Sequence, residues 1–374
     1  MRDHVLITTP EGKVVELVQS SGAGDDVAYY EGLLCPGLIN AHCHLELSHL
    51  QGAIPQHTGL VDFVQRVMGS RAATEPVKLE AMQQAAEALY NSGTVAVGDI
   101  CNTTDSIAVK INSKLRWRNF IELSGFVEAG AEKRFKDGLL IKAAFDQYLP
   151  STSNILTPHA PYSVSRALFE KINAVTGGEL ISIHNQECAA EDELYMDKTG
   201  AFLNLYKNFG IDIGSFNATG KTSLQSWVPY FDKRQTLLLV HNTFTGKEDM
   251  EWLKENHHAA YYCVCIRANQ YIENKIPPFE LLRNSGAQIV IGTDSYASNT
   301  QLNMLEEIRT IQHETAYAIP LEEILTWSTL NGAKALGMQA ELGSFDKGKM
   351  PGVVLIDAME GLNLTEKSVA KRLI

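Results

Sequence analysis

Eight short apolar runs separated by helix-patterned stretches constrain this chain more than any other feature of it. The runs span residues 33–42, 94–100, 119–126, 154–158, 180–184, 236–241, 259–265 and 287–293. They are nearly continuous in apolar residues, as strands covered by helices on both faces are. Between them lie stretches such as 77–90, 166–175, 248–256 and 278–284, where apolar residues recur at steps of three and four. Such an alternation predicts an α/β fold, a (β/α)8 TIM barrel, whose functional groups sit at the C-terminal ends of its strands. Residues 301–314 and 321–336 read as two further helices. The start of the chain reads differently. Val5–Ile7, Val14–Val18 and Val27–Tyr30 are strand-like pieces divided by turns at Gly12 and at residues 20–24, and Val353–Ile356 is a similar run. Residues 1–35 and 342–374 are therefore expected to form a small discontinuous second β domain beside a barrel of residues 36–341.

Composition narrows the partners. The net charge is −12, which disfavours nucleic acid or an anionic membrane and leaves a small-molecule substrate. Met1-Arg2-Asp3-His4 runs into a strand-like piece, so no leader is expected, and no apolar run approaches the length of a membrane span. The cysteines Cys35, Cys43, Cys101, Cys188, Cys263 and Cys265 show no disulfide-scaffold spacing, which fits a cytoplasmic protein. Cys263 and Cys265 read as small core residues of a buried strand in preference to a metal pair. A homo-oligomer is left open.

The strand ends carry an unusual set of side chains. The first long run ends in His42-Cys43-His44, and residues two apart on a strand face the same side. Later runs lead into His159, into His184-Asn185-Gln186-Glu187, into His241-Asn242 and into Asp294-Ser295, so five of eleven histidines fall at strand ends. His42, His44, His184 and Asp294 would complete the shell of one divalent ion with an added water; zinc is favoured, and iron(II) would accept the same donors. An ion there lowers the pKa of its water toward neutrality. Glu187, three residues after His184, is placed to move that water's proton to a substrate, and His241 to hold the water in line. Taken singly, Glu187 would be a solvated loop acid and His241 a satisfied buried histidine.

These motifs, in this order, resemble the amidohydrolase superfamily, in its aromatic deaminase and chlorohydrolase branch. The resemblance rests on residues 36–44, on Pro158-His159-Ala160-Pro161-Tyr162, on 184–187, on 240–242 and on 292–299. It implies a barrel with a β-sandwich and one zinc or iron ion on His42, His44, His184 and Asp294. It also implies Glu187 as proton shuttle, His241 and Asp294 as the groups that orient and deprotonate water, and His159 as a substrate contact. Glu46, Ser298 and Asn299 are further candidates for substrate contact. The stretch His44-Leu45-Glu46-Leu47-Ser48 and the acidic, aromatic segment from Glu191 to Phe202 resemble 6-aminodeoxyfutalosine deaminases. Two places depart from the pattern. Cys263 to Asn269 replaces a usual Cys-Pro-x-Ser-Asn, keeping only Asn269, and bears on specificity. Gly348 to Gly352 replaces a usual Lys-x-Ala-Asp in the small domain. No lysine ends the fourth run, so one ion is expected, with Glu122 as a polar anchor at the barrel mouth.

The resemblance thus implies a hydrolase acting on C–N bonds in cyclic amidines. The expected reaction is hydrolytic deamination of an adenine-like nucleoside with release of ammonia. The alternatives are chlorohydrolase-type loss of another leaving group and a binding protein that retains the metal without turnover. The pocket rim is expected from residues 46–68 and 188–230, with Phe63 or Tyr195 stacking on a base. With no phosphate-binding loop or arginine cluster, the ligand is expected to be uncharged or to carry a carboxylate, which Arg66 or Arg71 would meet.

Overall fold

The computed structural model describes residues 3–256 and 259–374. Its strands, in chain order, are β1 (His4–Thr8), β2 (Val14–Gln19), β3 (Leu33–Pro36), β4 (Leu38–Cys43), β5 (Thr94–Cys101), β6 (Arg116–Leu123) and β7 (Asn154–Pro158). They continue with β8 (Leu180–Asn185), β9 (Thr236–His241), β10 (Ala259–Val264), β11 (Gln288–Ile291), β12 (Val353–Ile356) and β13 (Ala370–Arg372). β4 to β7 form one four-stranded parallel sheet and β8 to β11 another, each in sequence order. The two sheets meet along both edges. At one seam the His184 amide donates to the His159 carbonyl, 2.9 Å, and at the other Cys43 and Asp294 form a parallel bridge.

The sequence explains why these strands are interior. Every residue of β4, β5, β7 and β8 is buried, as continuous apolar runs require when helices cover the sheet. The helices between them supply that cover. Leu168, Phe169 and Ile172 of the helix Arg166–Val175 face the core, one turn apart. Its first turn is capped by Ser165 Oγ, which accepts from the Leu168 amide.

Two sequence readings change. The run 33–42 is two strands, divided at Gly37. β3 pairs antiparallel with β12 in a three-stranded sheet completed by β13, while β4 enters the parallel sheet. A side chain at Gly37 would collide with Val95 and with the Pro351 carbonyl, so only glycine lets the chain cross between the sheets. Val27–Tyr30 forms no strand; it has no pairing partner, and Tyr29 is 88% exposed. β1 and β2 make a separate antiparallel hairpin, tied to the chain's far end by Val14 N–H donating to Lys349 O. Helices the periodicity did not single out include Leu60–Ser70, Ala131–Tyr148 and Phe202–Asn208. The segment 321–336 is helical, with a wider π turn at Trp327–Asn331. Among the described residues, no helix is long and apolar enough to cross a membrane.

One buried ion pair ties this framework to the loop after β4. Lys110 Nζ lies 2.5 Å from Asp99 Oδ2, both side chains being fully buried. Asp99 Oδ1 accepts from the Leu45 amide at 2.8 Å, and Lys110 also donates to Asn119 Oδ1 at 2.7 Å. Asp99 holds the Lys110 ammonium above its usual pKa against the pull of burial. Lys110→Met would strand a carboxylate in the core, and denaturant unfolding is expected to show a loss of about 3–5 kcal/mol.

Candidate metal centre and active site

β4 delivers His42 and His44 to one face at its end. Cys43, between them, points the other way into a packed cluster with Leu89 and Val97. The chain then turns into the short helix Leu45–Leu50. Glu46 holds that turn down: its Oε1 accepts from the amides of Asn102 and Thr103, at 2.9 and 2.8 Å. Burial pushes its carboxyl up to about 7.

Three imidazole nitrogens converge. His44 Nε2 lies 3.1 Å from His42 Nε2 and 3.1 Å from His184 Nε2. His184 Nδ1 is 2.8 Å from the His159 carbonyl. It therefore carries the ring proton and donates it, leaving an Nε2 lone pair aimed at the cluster. Burial, the largest cause, holds the His184 pKa down at about 4 and the His44 pKa well below its usual value, so both rings are neutral near pH 7. A single proton on His44 Nε2 cannot serve two acceptors at once; a divalent ion serves all three nitrogens. With each nitrogen about 2.0–2.1 Å from such an ion, a 3.1 Å separation subtends roughly 95–100°. That lies within the range of four- and five-coordinate sites.

Asp294 closes the set. Its Oδ1 is 3.6 Å from His42 Nε2 and 3.4 Å from His44 Nε2, and its Oδ2 accepts from Ser298 Oγ. The imidazoles around it hold its carboxyl far below the usual range, although burial pulls the other way. It reaches this position because Gly292 lets the chain pass close to β4. A side chain on Gly292 would lie 2.8 Å from His42 Cβ and 3.0 Å from Cys263 Sγ. Among the described residues, the groups with metal-binding spacing are His42–His184–His241, His42–His44–Asp294 and Glu122–His159–His184; none includes a cysteine.

Glu187 and His241 stand over the cluster. Glu187 Oε1 is 3.5 Å from His241 Nε2. Burial, with Asp294, Glu191 and Glu273 adding negative charge, raises the Glu187 pKa well above the usual value and favours a proton on its carboxyl. Asn269 Nδ2 approaches His241 Nδ1 at 3.3 Å, which leaves the ring proton on Nε2, facing Glu187. The backbone here is strained: Gln186, His241 and Asp294 have φ of 45°, 76° and 57°, left-handed values that cost a non-glycine residue on the order of 1 kcal/mol or more. Side chains hold these bends. Gln186 Nε2 donates to Asp249 at 2.6 Å, and Asn242 Nδ2 donates to the Leu239 and Cys263 carbonyls at 2.8 and 3.2 Å.

A cavity of about 690 Å³ opens above this floor. His44, His159, His184, Glu187, His241 and Asp294 all line it, so the side chains from five separate strand ends meet in one space. Its apolar walls come from Leu60, Phe63 and Val67 of the helix Leu60–Ser70 and from Leu205, Tyr206 and Phe209. Arg71 lines it, and Arg66 does not. A larger groove of about 1460 Å³ lies by the N-terminal ends of β10 and β11, away from every one of these groups.

Other expected contacts are placed elsewhere. His42 is fully buried beneath the floor. Glu46 and Ser298 are engaged as above, and neither lines the cavity. Asn299 donates to the Thr293 carbonyl and to Glu307, and accepts from Arg267 Nε at 3.2 Å. It too is absent from the lining, its side chain fully used in bracing the loop after β11. Tyr195 is buried, with its hydroxyl on the Pro161 carbonyl at 2.9 Å, so it packs the excursion and stacks on nothing in the cavity. Cys263 and Cys265 are core residues. Arg134 and Asn102, which no motif marked, do line the space. So does Glu122, which the sequence reading had only as an anchor.

Glu191 is the least expected member. It is fully buried, and its two oxygens accept from the Glu187 amide at 2.8 Å and the Gln186 amide at 3.0 Å. It lies one helical turn beyond Glu187, and in sequence it is indistinguishable from the acidic residues beside it. Glu191→Leu would strand both amides, at about 1–3 kcal/mol each. Denaturant unfolding is expected to show a loss of at least about 2 kcal/mol, and Glu191→Gln, which keeps one acceptor, a smaller one.

The chain resembles known proteins along its whole length. The amidohydrolase family matches residues 33–371. A 5-methylthioadenosine/S-adenosylhomocysteine deaminase of Teredinibacter turnerae is 29% identical over 348 residues, covering 89% of this chain and 73% of that one. An aminodeoxyfutalosine deaminase of a Nitratiruptor species is 27% identical over 348 residues, covering 89% and 81%. The crystal structure of Helicobacter pylori aminofutalosine deaminase with methylthio-coformycin superposes with a TM-score of 0.83 at 23% identity, covering 100% of this chain and 96% of that one. With the family matched across nearly the whole chain and the fold shared with a solved member, this protein belongs to the amidohydrolase family.

Proposed function

We propose that this protein is a metal-dependent hydrolytic deaminase of an adenine-like nucleoside, of which 6-aminodeoxyfutalosine is one candidate, and that it releases ammonia. The observation that carries this reading is the grouping of Glu187, His241 and Asp294 around three converging imidazole nitrogens on the floor of one cavity. Relatives that act on adenine nucleosides, by their names, support the substrate class. His42, His44, His184 and Asp294 would hold one ion, zinc in preference to iron(II), since neutral imidazoles with one carboxylate suit it and the chemistry needs no redox change. When bound, the ion supplies a water that ionises near neutral pH.

The chain's own groups do the rest. Glu187, which burial favours in the protonated form, delivers a proton to the ring nitrogen beside the carbon that carries the amino group. Asp294, held ionised, takes the proton of the attacking water. His241 Nε2–H fixes that water's direction. Ammonia is a poor leaving group without proton delivery, and this placement of Glu187 favours an amine substrate over a halide.

We further read residues 36–341 as a (β/α)8 barrel, in keeping with the two sheets joined at both seams, and residues 1–35 with 342–374 as a small β-sandwich domain. β3 straddles that boundary. Six free cysteines support a reducing, cytoplasmic setting.

The test is ammonia release across adenosine, thioether adenosines, 6-aminodeoxyfutalosine, cytosine and guanine, with chloride release from chlorinated triazines alongside. Turnover of adenine nucleosides is expected; preference for a free pyrimidine base, or chloride release alone, would overturn the reading. Glu187→Gln should lower turnover roughly a hundredfold or more while the ion stays bound. Elemental analysis should find one ion per chain, and none in His42→Ala.

A further inference from the structure

Glu122, at the end of β6, has an oxygen that no group among the described residues satisfies. Its side chain is 4% exposed. Oε2 accepts from Asn102 Nδ2 at 2.7 Å, and Asn102 Oδ1 accepts in turn from Arg71 Nη2 at 3.2 Å. Oε1 is buried without a hydrogen-bond partner. His184 Nδ1 lies 3.5 Å from it, but the single proton there goes to the His159 carbonyl at 2.8 Å. A buried carboxylate oxygen left bare costs on the order of 1–3 kcal/mol or more, and the Glu122 side chain is among those that line the cavity.

A donor is the group that suits this oxygen, since a carboxyl oxygen that carries no proton only accepts. An adenine ring has one donor, its amino group, and that group belongs at the reacting centre beside Glu187, Asp294 and His184 Nε2. Glu122 lies on the opposite side of His184, by Nδ1. The remaining donors of an adenine nucleoside are its sugar hydroxyls. A second acceptor stands nearby. Ser163 Oγ donates to the Ala160 carbonyl and therefore accepts from His159 Nδ1 at 2.6 Å, so the other His159 nitrogen presents a lone pair. Burial keeps this ring neutral, its pKa down at about 3. Ligand atoms of Glu122, His159 and His184 lie within 4.8 Å of one another, close enough for two acceptors to meet adjacent hydroxyls.

We propose that Glu122 Oε1 accepts a hydrogen bond from a ribose hydroxyl of the substrate, making Glu122 the residue that distinguishes ribonucleosides from their deoxy counterparts. This rests on the deaminase reading above and names its sugar specificity. Asn102 orients the carboxylate through Oε2 and Arg71 holds Asn102; both are positioning residues.

The experiment compares kcat/KM for adenosine, 2′-deoxyadenosine and 3′-deoxyadenosine in the wild type, Glu122→Ala and Glu122→Gln, with metal content measured on each. The wild type is expected to disfavour at least one deoxy substrate roughly tenfold or more. In Glu122→Ala that ratio should shrink to within about threefold, through loss on adenosine, with one ion per chain retained. Glu122→Gln keeps the side-chain shape and weakens the acceptor, so it should give an intermediate ratio even if the alanine variant fails to fold. An unchanged ratio in folded variants would overturn the role of Glu122 alone. Two ions per chain in the wild type, falling to one on substitution, would overturn it in favour of a metal ligand. A wild type inactive on every adenine nucleoside would overturn the deaminase reading and this proposal together.

Discussion

Two imidazole nitrogens, of His42 and His184, each held 3.1 Å from the Nε2 of His44 in a buried place, are the contact on which the rest of this structure depends. Such nitrogens gather where something positive would join them or where the surrounding chain forces them together. The donor set suits a divalent ion, and the chain around it is over-determined. The Asp294 and Thr293 amides donate to the His42 carbonyl, and the His184 amide and ring both donate to the His159 carbonyl. The seams that join the two parallel sheets are thus the same hydrogen bonds that register these side chains.

The chain around the site accepts local cost for this arrangement. Gln186, His241 and Asp294 bend into left-handed backbone at the ends of their strands, and two of the bends carry side chains that line the cavity, His241 and Asp294. Uncommonly many buried polar groups surround them. Asp99 with Lys110 secures the loop after β4, Glu191 the loop after β8, and Asn269 the ring of His241. In a low-dielectric interior such groups hold fixed positions and fixed protonation states, which is what a reacting centre requires. The departure from the usual pattern at Cys263 to Asn269 leaves this support intact, because Asn269 is the member that touches the site and the cysteines only pack.

The cavity has two kinds of wall. Apolar side chains of the helix Leu60–Ser70 and of the segment around Tyr206 enclose the cavity on one part of its surface, while Glu122, His159 and Asn102 present polar atoms on another. Such a space suits a ligand with a flat apolar body and a few hydroxyls.

Much was legible in the sequence by itself. Continuous apolar runs alternating with helical periods stated the parallel α/β architecture, because a strand buried on both faces has no other way to look. Strand periodicity set His42 and His44 on one face, and the placement of His184, His241 and Asp294 at strand ends put them at one end of the sheet. What tertiary structure alone decided is which polar side chains turn into the cavity and which brace it. Glu46, Ser298 and Asn299 sit in the same motifs as the site residues, yet nearby amides, carbonyls and side chains claim their polar atoms. Glu122 and Glu191 carry no motif, since their roles depend on groups brought near by separate strands and by the turn of a short helix. Gly37 likewise divides one apolar run between two sheets for a reason lying in Val95 and Pro351, far away in sequence. Spacing along a chain fixes the direction of a side chain on its own strand; its partners are set by packing between strands, which one-dimensional periodicity does not contain.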